Sequence, residues 1–222
     1  MVPDYREALK SKNSRKVVEA ISKSGGVTTF SKISKATGLR GSVLTHHLNK
    51  LEQLGILKKE VRGTYKLRFK TPLCFIYGAE TPYVYLGLLG KRNSREVSET
   101  EVALSLLKKE GIKPILTYVL TSFEALNQWA EKKLPYQWIL CYDEEIIDIE
   151  LVKKKIRPQL EALLKDYIVI LDCTSATKPA TIAYYELAQE YLTPLIYIYE
   201  EKKKLLWLIS KDTIRKALGL KL

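Results

Sequence analysis

Two short polar stretches each follow an apolar run that is typical of a buried β-strand. One stretch, residues 174–178, reads Thr-Ser-Ala-Thr-Lys and follows the apolar run 168–171. The other, residues 90–94, reads Gly-Lys-Arg-Asn-Ser and follows the run 83–89. Hydroxyl groups, backbone N–H groups and side-chain cations are the groups with which proteins hold phosphate. These residue types therefore predict a site for a phosphorylated ligand, although ordinary loops between a strand and a helix also contain Ser, Thr and Lys.

The sequence around the first stretch predicts a strand, a tight loop and then a helix. Pro179 suits the first turn of a helix, and apolar residues follow it at helical spacing up to residue 191. Such loops lie beyond the carboxyl ends of strands, where open α/β sheets bind anions. Because parallel strands end at one edge of a sheet, the two stretches are expected to converge there. The candidate ligand-binding residues are Lys91, Arg92, Asn93, Ser94, Thr174, Ser175, Thr177 and Lys178.

Residues 83–222 alternate between strand patterns and helix patterns. Strands are expected at 83–89, 114–120, 136–142 and 167–171, and a terminal hairpin at 195–199 and 204–209. Helices are expected between them and at 211–218, with a capping box at Ser98–Glu101 and a break or kink at Pro158. This alternation predicts a Rossmann-like, mostly parallel α/β sheet.

The motifs of several enzyme classes are missing from the sequence. It contains no GxGxxG, no Walker motif, no GxSxG elbow and no HExxH, and both histidines lie before residue 72. We therefore expect no catalytic residues, no metal and no cofactor. The three cysteines are far apart and form no CxxC pair, which favours buried free thiols.

The net charge of +12 is concentrated at the start of the chain. Residues 1–72 hold 16 Lys and Arg against 5 Asp and Glu, whereas the remainder is almost neutral. A basic segment of this size favours a polyanionic partner, most often nucleic acid. We expect no membrane association and a cytoplasmic protein, because no apolar run approaches about 20 residues and the N-terminus lacks a signal-peptide core.

The basic segment predicts a winged helix-turn-helix. Helices are expected at 14–24, 29–37 and 41–54, followed by a hairpin with strands at 56–60 and 65–69. On the third helix, leucines fall on one side and short polar side chains on the other. The polar side is suited to base edges in a major groove, and flanking cations are suited to phosphates. The candidate DNA-binding residues are Arg40, Ser42, Thr45, His46, Asn49, Lys50 and Arg62.

The residues of this third helix and the start of the hairpin resemble a known family. The segment 42–57, Ser-Val-Leu-Thr-His-His-Leu-Asn-Lys-Leu-Glu-Gln-Leu-Gly-Ile-Leu, is similar to the recognition helix and wing entry of ArsR-type winged-helix transcription regulators. The resemblance implies a DNA-binding regulator. Many members of that family sense metals, but no cysteine here precedes Cys74, and the adjacent His46 and His47 point about 100° apart on a helix.

A second resemblance involves residues 83–209. Asp172-Cys-Thr-Ser-Ala-Thr-Lys178 matches the Asp/Asn-x-Ser/Thr-x-x-x-Arg/Lys signature of the CARF domain, the CRISPR-associated Rossmann fold. The resemblance implies a dimer that binds cyclic oligoadenylate through the loops after the first and fourth strands, with Thr174 and Lys178 contacting the ligand. CARF domains are joined to winged helices in archaeal regulators, where the winged helix usually comes second and not, as here, first.

The sequence as a whole predicts a two-domain α/β chain. Residues 1–72 form the winged helix, residues 73–82 a linker, and residues 83–222 the Rossmann-like CARF-type domain for dimerisation and ligand sensing. The expected function is that of a homodimeric transcription regulator that binds double-stranded DNA. Three alternatives stay open: a ring nuclease that degrades cyclic oligoadenylate, a second domain that only dimerises, and binding of RNA or a protein instead of duplex DNA.

Overall fold

The computed structural model describes residues 2–220, apart from the side chain of Arg62. These residues form two compact units. The first unit comprises the residues up to Thr81, the short segment Leu164–Ile168 and the residues from Lys211 onward. The second comprises Pro82–Leu163 and Val169–Ser210. No helix in the described part of the chain is long and apolar enough to cross a membrane.

The first unit contains the predicted winged helix. Its elements are α1 (Tyr5–Ala8), α2 (Lys12–Lys23), β1 (Val27–Thr29), α3 (Phe30–Thr37), α4 (Gly41–Gln53), β2 (Leu57–Lys59), β3 (Thr64–Leu67) and α5 (Leu73–Tyr77). A 3-10 turn, Val61–Gly63, joins β2 to β3. The three strands form an antiparallel sheet in the order β1-β3-β2. Buried aliphatic side chains of α2, α3 and α4 form the core beside this sheet.

Side-chain caps fix where these helices begin. The hydroxyl of Ser11 accepts a hydrogen bond from the backbone N–H of Ser14 at the start of α2. The hydroxyl of Thr29 does the same for α3, accepting from the N–H of Lys32. Gly38 ends α3 in the left-handed conformation, with φ of 73°, which favours glycine because it has no Cβ. The helix-turn-helix is therefore defined by local residues at each end.

The segment 73–77 differs from its expected conformation. The sequence predicted a linker at 73–82, but residues 73–77 form helix α5, in which Leu73, Cys74, Phe75 and Ile76 are buried. Such a short apolar run has no clear period, so periodicity alone cannot distinguish a buried helix from a buried strand. Helix α10, at Lys211–Ala217, packs against α5 within the first unit. The linker at 73–82 and the domain boundaries at 72 and 83 stay predictions.

The second unit is built on a six-stranded sheet. Its elements are β4 (Tyr83–Leu88), α6 (Glu99–Lys109), β5 (Pro114–Ser122), α7 (Phe123–Trp129), β6 (Gln137–Cys141), α8 (Ile149–Leu164), β7 (Ile168–Asp172), α9 (Lys178–Tyr191), β8 (Leu195–Tyr199) and β9 (Lys204–Ile209). The strand order is β6-β5-β4-β7-β8-β9. The pairs β4–β5, β5–β6 and β7–β8 are parallel, and β8–β9 is the predicted antiparallel hairpin. The prediction of a mostly parallel α/β sheet is confirmed.

Several local features predicted for the second unit are present in the structure, and one expected feature of α8 is not. Ser98 and Glu101 form the predicted capping box of α6, and Pro179 lies in the first turn of α9. Helix α8 continues through Pro158 without the expected break. All five residues of β7 are buried, which is why this strand has no alternation of polar and apolar residues. The three cysteines are buried free thiols, as predicted.

Candidate DNA-binding and ligand-binding sites

Helix α4 has one buried face and one exposed polar face. Leu44, Leu48 and Leu51 are fully buried in the first unit. The side chains predicted to contact bases lie on the opposite, exposed face: Ser42, Thr45, His46 and Asn49. Their amide, imidazole and hydroxyl groups can exchange hydrogen bonds with base edges. The apolar face thus fixes the helix, and the polar face is left for a partner.

The two adjacent histidines of α4 have different surroundings. His47 Nδ1 lies 3.1 Å from the hydroxyl of Ser14 on α2. Burial, followed by the nearby charges of His46 and Lys50, lowers the pKa of His47. His46 is exposed, and its ring meets that of His47 edge to face at 5.4 Å between centroids. His47 therefore helps to hold α4 on α2, whereas His46 remains available to DNA.

The cations predicted to contact phosphates are Arg40 before α4, Lys50 on α4 and Arg62 after it. Arg40 is exposed at the residue before the helix. Lys50 Nζ lies 3.4 Å from Oε1 of Glu7, which also pairs with Lys10 at 2.6 Å. The hydrogen bonds from Lys10 and then Lys50 lower the pKa of the Glu7 carboxyl. Arg62 lies in the 3-10 turn between β2 and β3, and its side chain is outside the described part of the structure.

In the second unit, the loops after four neighbouring parallel strands enclose a cleft of about 380 Å³. Its lining includes Gly90, Lys91 and Asn93 after β4, Ser122 and Glu124 at the end of β5, Asp143 and Ile146 after β6, and Ala176 and Thr177 after β7. The chain builds β5 and β6 on one side of β4, then returns to place β7 on the other side. The cleft therefore lies at the point where strand order reverses, which is where open α/β sheets bind ligands.

The two predicted loops converge, as expected, and they are joined directly. The backbone N–H of Gly90 donates a 2.8 Å hydrogen bond to the hydroxyl of Ser175. A Cβ at position 90 would lie only 3.0 Å from the backbone nitrogen of Ala176 and from Ser175 Oγ. A side chain at position 90 would therefore force the loop after β7 to shift by a few tenths of an ångström. The carbonyl of Gly90 also accepts a 3.0 Å bond from the indole of Trp129.

A buried carboxylate holds the loop after β7. Asp172 Oδ1 accepts hydrogen bonds from both the backbone N–H and the hydroxyl of Thr174, and Oδ2 accepts one from the Tyr85 hydroxyl at 2.6 Å. Burial raises the pKa of Asp172 to about 6, although the bonds from Thr174 and Tyr85 oppose that rise. The Thr174 hydroxyl also accepts from the N–H of Ile198 at 2.8 Å. Thr174 is thus engaged within the protein through both its backbone and its side chain.

The three predicted cations have different partners. Lys91 forms a 2.6 Å ion pair with Glu124, and this contact raises the pKa of Lys91. Arg92 lies over the ring of Trp129, and its guanidinium approaches Glu131 at 3.4 Å. Lys178 is exposed and forms no ion pair within residues 2–220. Lys178 is therefore the cation of this set that no carboxylate of the described chain neutralises.

The remaining predicted residues have clear positions. Thr177 caps α9, accepting from the N–H of Ala180 at 3.3 Å while its hydroxyl donates to the carbonyl of Ile146. Asn93 and Ser94 are exposed and adopt left-handed backbone conformations, with φ of 43° and 61°. Thr177 and Asn93 line the cleft, whereas Ser175 is used to join the two loops.

Sequence reasoning missed several residues of the cleft. Ser122 is the last residue of β5, whose end was expected two residues earlier, at Leu120, and Glu124 lies in the first turn of α7. Asp143, the first residue of the acidic run 143–145, also lines the cleft and was not among the predicted site residues. The predicted sheet could have indicated these residues, because every loop after a parallel strand opens on the same edge of the sheet.

Comparisons with known proteins agree with the predicted helix-turn-helix. Residues 11–59 match the model of the family described as bacterial regulatory protein, arsR family, and this match includes α4. No curated protein matches the chain in sequence.

Several solved structures resemble the chain weakly in fold. They include Can2 from Sulfobacillus thermosulfidooxidans in complex with cyclic tetra-adenylate, with 16% identity, a TM-score of 0.41, and coverage of 58% of this chain and 35% of that chain. Protein VC1899 from Vibrio cholerae has 11% identity, a TM-score of 0.42 and coverage of 58% and 34%. Enterococcus italicus Csm6 bound to cyclic hexa-2'-fluoro-hexa-dAMP has 11% identity, a TM-score of 0.43 and coverage of 63% and 38%.

The chain spans little more than a third of the length of each of these three solved chains. The family match concerns only the start of the chain, and it agrees with the buried and exposed faces of α4. The helix-turn-helix at residues 11–59 is similar to that of the arsR family of bacterial regulatory proteins.

Proposed function

We propose that this protein is a transcription regulator that binds double-stranded DNA through α4. The observation that carries the proposal is the exposed polar face of α4, opposite three fully buried leucines. The charge of the N-terminal segment and the arsR-family match at residues 11–59 support it. In this proposal, His46 and Asn49 read base edges in the major groove, and Arg40, Lys50 and Arg62 contact phosphates.

Selection of binding sites from random duplex DNA tests this proposal. The account predicts one enriched, roughly palindromic motif. The same protein should bind the selected duplex at least about 1,000-fold more tightly than random duplex or RNA, in line with specific DNA-binding proteins. Equal affinity for RNA and for every duplex would contradict the proposal.

For the second unit, we propose a sensor of a phosphorylated ligand of the cyclic oligoadenylate class. The cleft lies at the reversal of strand order, beside the N-terminal end of α9 and the unpaired cation Lys178. Apolar groups such as Ile146 and acceptors such as Glu124 and Asp143 share its lining with Lys91. This mixture suits a nucleotide, since a base needs apolar surface and acceptors as well as the cations that phosphate needs.

Titration calorimetry with cyclic tetra-adenylate tests this sensor proposal. The account predicts saturable binding and recovery of intact ligand, measured by chromatography after incubation. Recovery of cleaved ligand would instead favour the ring-nuclease alternative. Absence of binding would leave the second unit as a dimerisation platform or as a sensor of another ligand.

We further propose that the protein is a homodimer, and that the dimer surface includes the first turns of α8 and α9. Exposed apolar side chains gather on these turns and the residues before α8: Ile147, Leu151, Ile182 and Tyr185. The pair Lys153–Glu186, at 2.7 Å, links the same two helices. Because Ile147 also lines the cleft, a second copy on this surface would bring two clefts close together.

A further inference from the structure

A second basic surface lies in the first unit, outside the residues predicted to contact DNA. Arg6, Lys10, Arg15 and Lys216 line a cleft of about 340 Å³ between the α1–α2 region and the end of α10. We call it the basic cleft. Its other lining residues are Leu9, Ala217, Leu218 and Gly219, so no carboxylate lines it in the described part of the chain. Lys10 is paired with Glu7 at 2.6 Å, whereas Arg6, Arg15 and Lys216 form no ion pair within residues 2–220. A cluster of cations that carboxylates neutralise only in part attracts an anion.

The two arginines are each held in place by a hydrogen bond from Nε, which leaves the terminal amino groups of the guanidinium unused. Arg6 Nε donates to the carbonyl of Ala217 at 3.1 Å, and Arg15 Nε donates to the carbonyl of Leu9. Within residues 2–220, no acceptor pairs with the terminal amino groups of these two guanidiniums. A guanidinium that is already oriented loses little freedom when it forms further bonds, and its fork matches the geometry of phosphate.

Contacts with α4 place the basic cleft beside the recognition helix. Glu7 pairs with Lys10 of the cleft at 2.6 Å and with Lys50 of α4 at 3.4 Å, so one carboxylate joins the two cations. Ser14, next to Arg15 in sequence, contacts His47 of α4 at 3.1 Å between its hydroxyl and Nδ1. The basic surface therefore continues from α4 onto the α1–α2 region.

Another basic groove of the same unit is less suited to an anion. Lys58, Lys66, Arg68 and Lys165 line it, but so do Glu52 and Glu60. Lys66 pairs with Asp166 at 2.8 Å, and Lys58 approaches Glu60 at 3.5 Å. These carboxylates offset most of the positive charge of that groove. The described lining of the basic cleft, in contrast, contains no carboxylate.

We propose that the basic cleft binds backbone phosphates of duplex DNA just beyond the stretch that α4 reads. The proposal rests on the proposed DNA-binding function and adds to it a second set of contacts, from α1, α2 and α10. These contacts carry no sequence information; they strengthen binding and fix the orientation of the duplex.

The test compares two duplexes that share one selected site. The first ends at the edges of the site, and the second extends it by about one helical turn, about 10 bp, on each side. Affinity is measured across a range of salt concentrations for the wild type, Lys216→Glu and Arg6→Gln. Lys108→Glu is the matched control, because Lys108 is also exposed on a helix but lies on α6 of the second unit.

The proposal predicts that the salt dependence of binding is steeper for the extended duplex than for the short one. Each lost phosphate contact should reduce the slope of log K against log salt by about 0.9. Lys216→Glu and Arg6→Gln should therefore flatten the slope by about 1 on the extended duplex and leave it unchanged on the short one. Lys108→Glu should follow the wild type on both.

Two other outcomes would contradict either the inference about the basic cleft alone or the proposed function as well. If the wild type binds both duplexes and the cleft variants match Lys108→Glu, the basic cleft does not contact DNA, while the proposed function stands. If the wild type shows no preference for duplex DNA at all, the proposed function fails, and the inference about the cleft fails with it. Lys216 serves as the main variant because its side chain is exposed and bonds to no carbonyl of residues 2–220, so its replacement should not affect folding.

Discussion

At the scale of single residues, Asp172 connects the stability of the second unit to pH. Its pKa is raised from 3.8 to about 6 in the folded protein, because the carboxyl is buried. Between about pH 4 and 6, the folded state therefore holds a proton that the unfolded state releases. The contribution of Asp172 to the free energy of unfolding is largest below pH 4 and falls by about 3 kcal/mol as the pH rises through 6.

Asp172→Asn should remove this titration while keeping an acceptor for Thr174. The difference in unfolding free energy, wild type minus variant, should fall by about 3 kcal/mol between pH 4 and pH 7 in urea titrations. Other carboxylates titrate in both proteins, so their contributions cancel in the difference. A difference that is independent of pH would show that the pKa of Asp172 is not raised in this way.

The cations near the ligand cleft should differ in importance. Lys178 is exposed and unpaired within the described residues, whereas Arg92 is engaged by Trp129 and Glu131. Lys178→Ala should therefore weaken binding of cyclic tetra-adenylate by about 10-fold or more, the usual effect of losing a charged hydrogen bond. Arg92→Ala should change it by less than about 3-fold. Equal losses in both variants, measured by calorimetry, would contradict this assignment.

At the scale of elements, the proposed function assigns base reading to the polar face of α4 and phosphate contacts to the cations beside that face. Asn49→Ala should relax the preferred base at one position by about 1–3 kcal/mol, because a bidentate amide contact is lost. Arg40→Ala should weaken binding to all duplexes and reduce the salt slope by about 0.9. Selected-site profiles and salt titrations distinguish the two effects. An unchanged profile for Asn49→Ala would remove it from the base-reading set.

Most of these elements could be predicted from local patterns. Leu44, Leu48 and Leu51 recur at helical spacing, and the hairpin at 195–209 has matched strands with a turn between them. The short β1 and α5 were not predicted, because a segment of so few residues shows no clear hydrophobic period. The expected convergence of the two loops followed from strand direction alone.

The individual contacts within the cleft could not be predicted in this way. Nothing in the spacing of Lys91 and Arg92 indicates that one pairs with Glu124 and the other turns onto Trp129. Those choices depend on side chains contributed by α7, about 30–40 residues further along the chain. The role of Thr174 likewise depends on Ile198 of a neighbouring strand.

At the scale of the whole molecule, the proposed dimer depends on the apolar surface of α8 and α9. Ile182→Glu should convert a dimer into a monomer in sedimentation velocity, because it places a charge in an apolar interface. Ile115→Glu is the matched control, since Ile115 is also an exposed isoleucine but lies on β5. A wild type that sediments as a monomer, or an Ile182→Glu variant that remains dimeric, would contradict the proposed surface.

We further propose that a ligand bound to the second unit alters DNA binding by the first, because a ligand that prefers one arrangement of the dimer would shift the spacing of the two recognition helices. Allosteric coupling of about 1–3 kcal/mol changes affinity about 5- to 150-fold. The direct test is the affinity of the whole protein for its selected duplex, with and without saturating cyclic tetra-adenylate, repeated with Lys178→Ala. The account predicts a change of at least about 5-fold in the wild type and almost none in the variant. A DNA affinity that saturating ligand leaves unchanged in the wild type would contradict it.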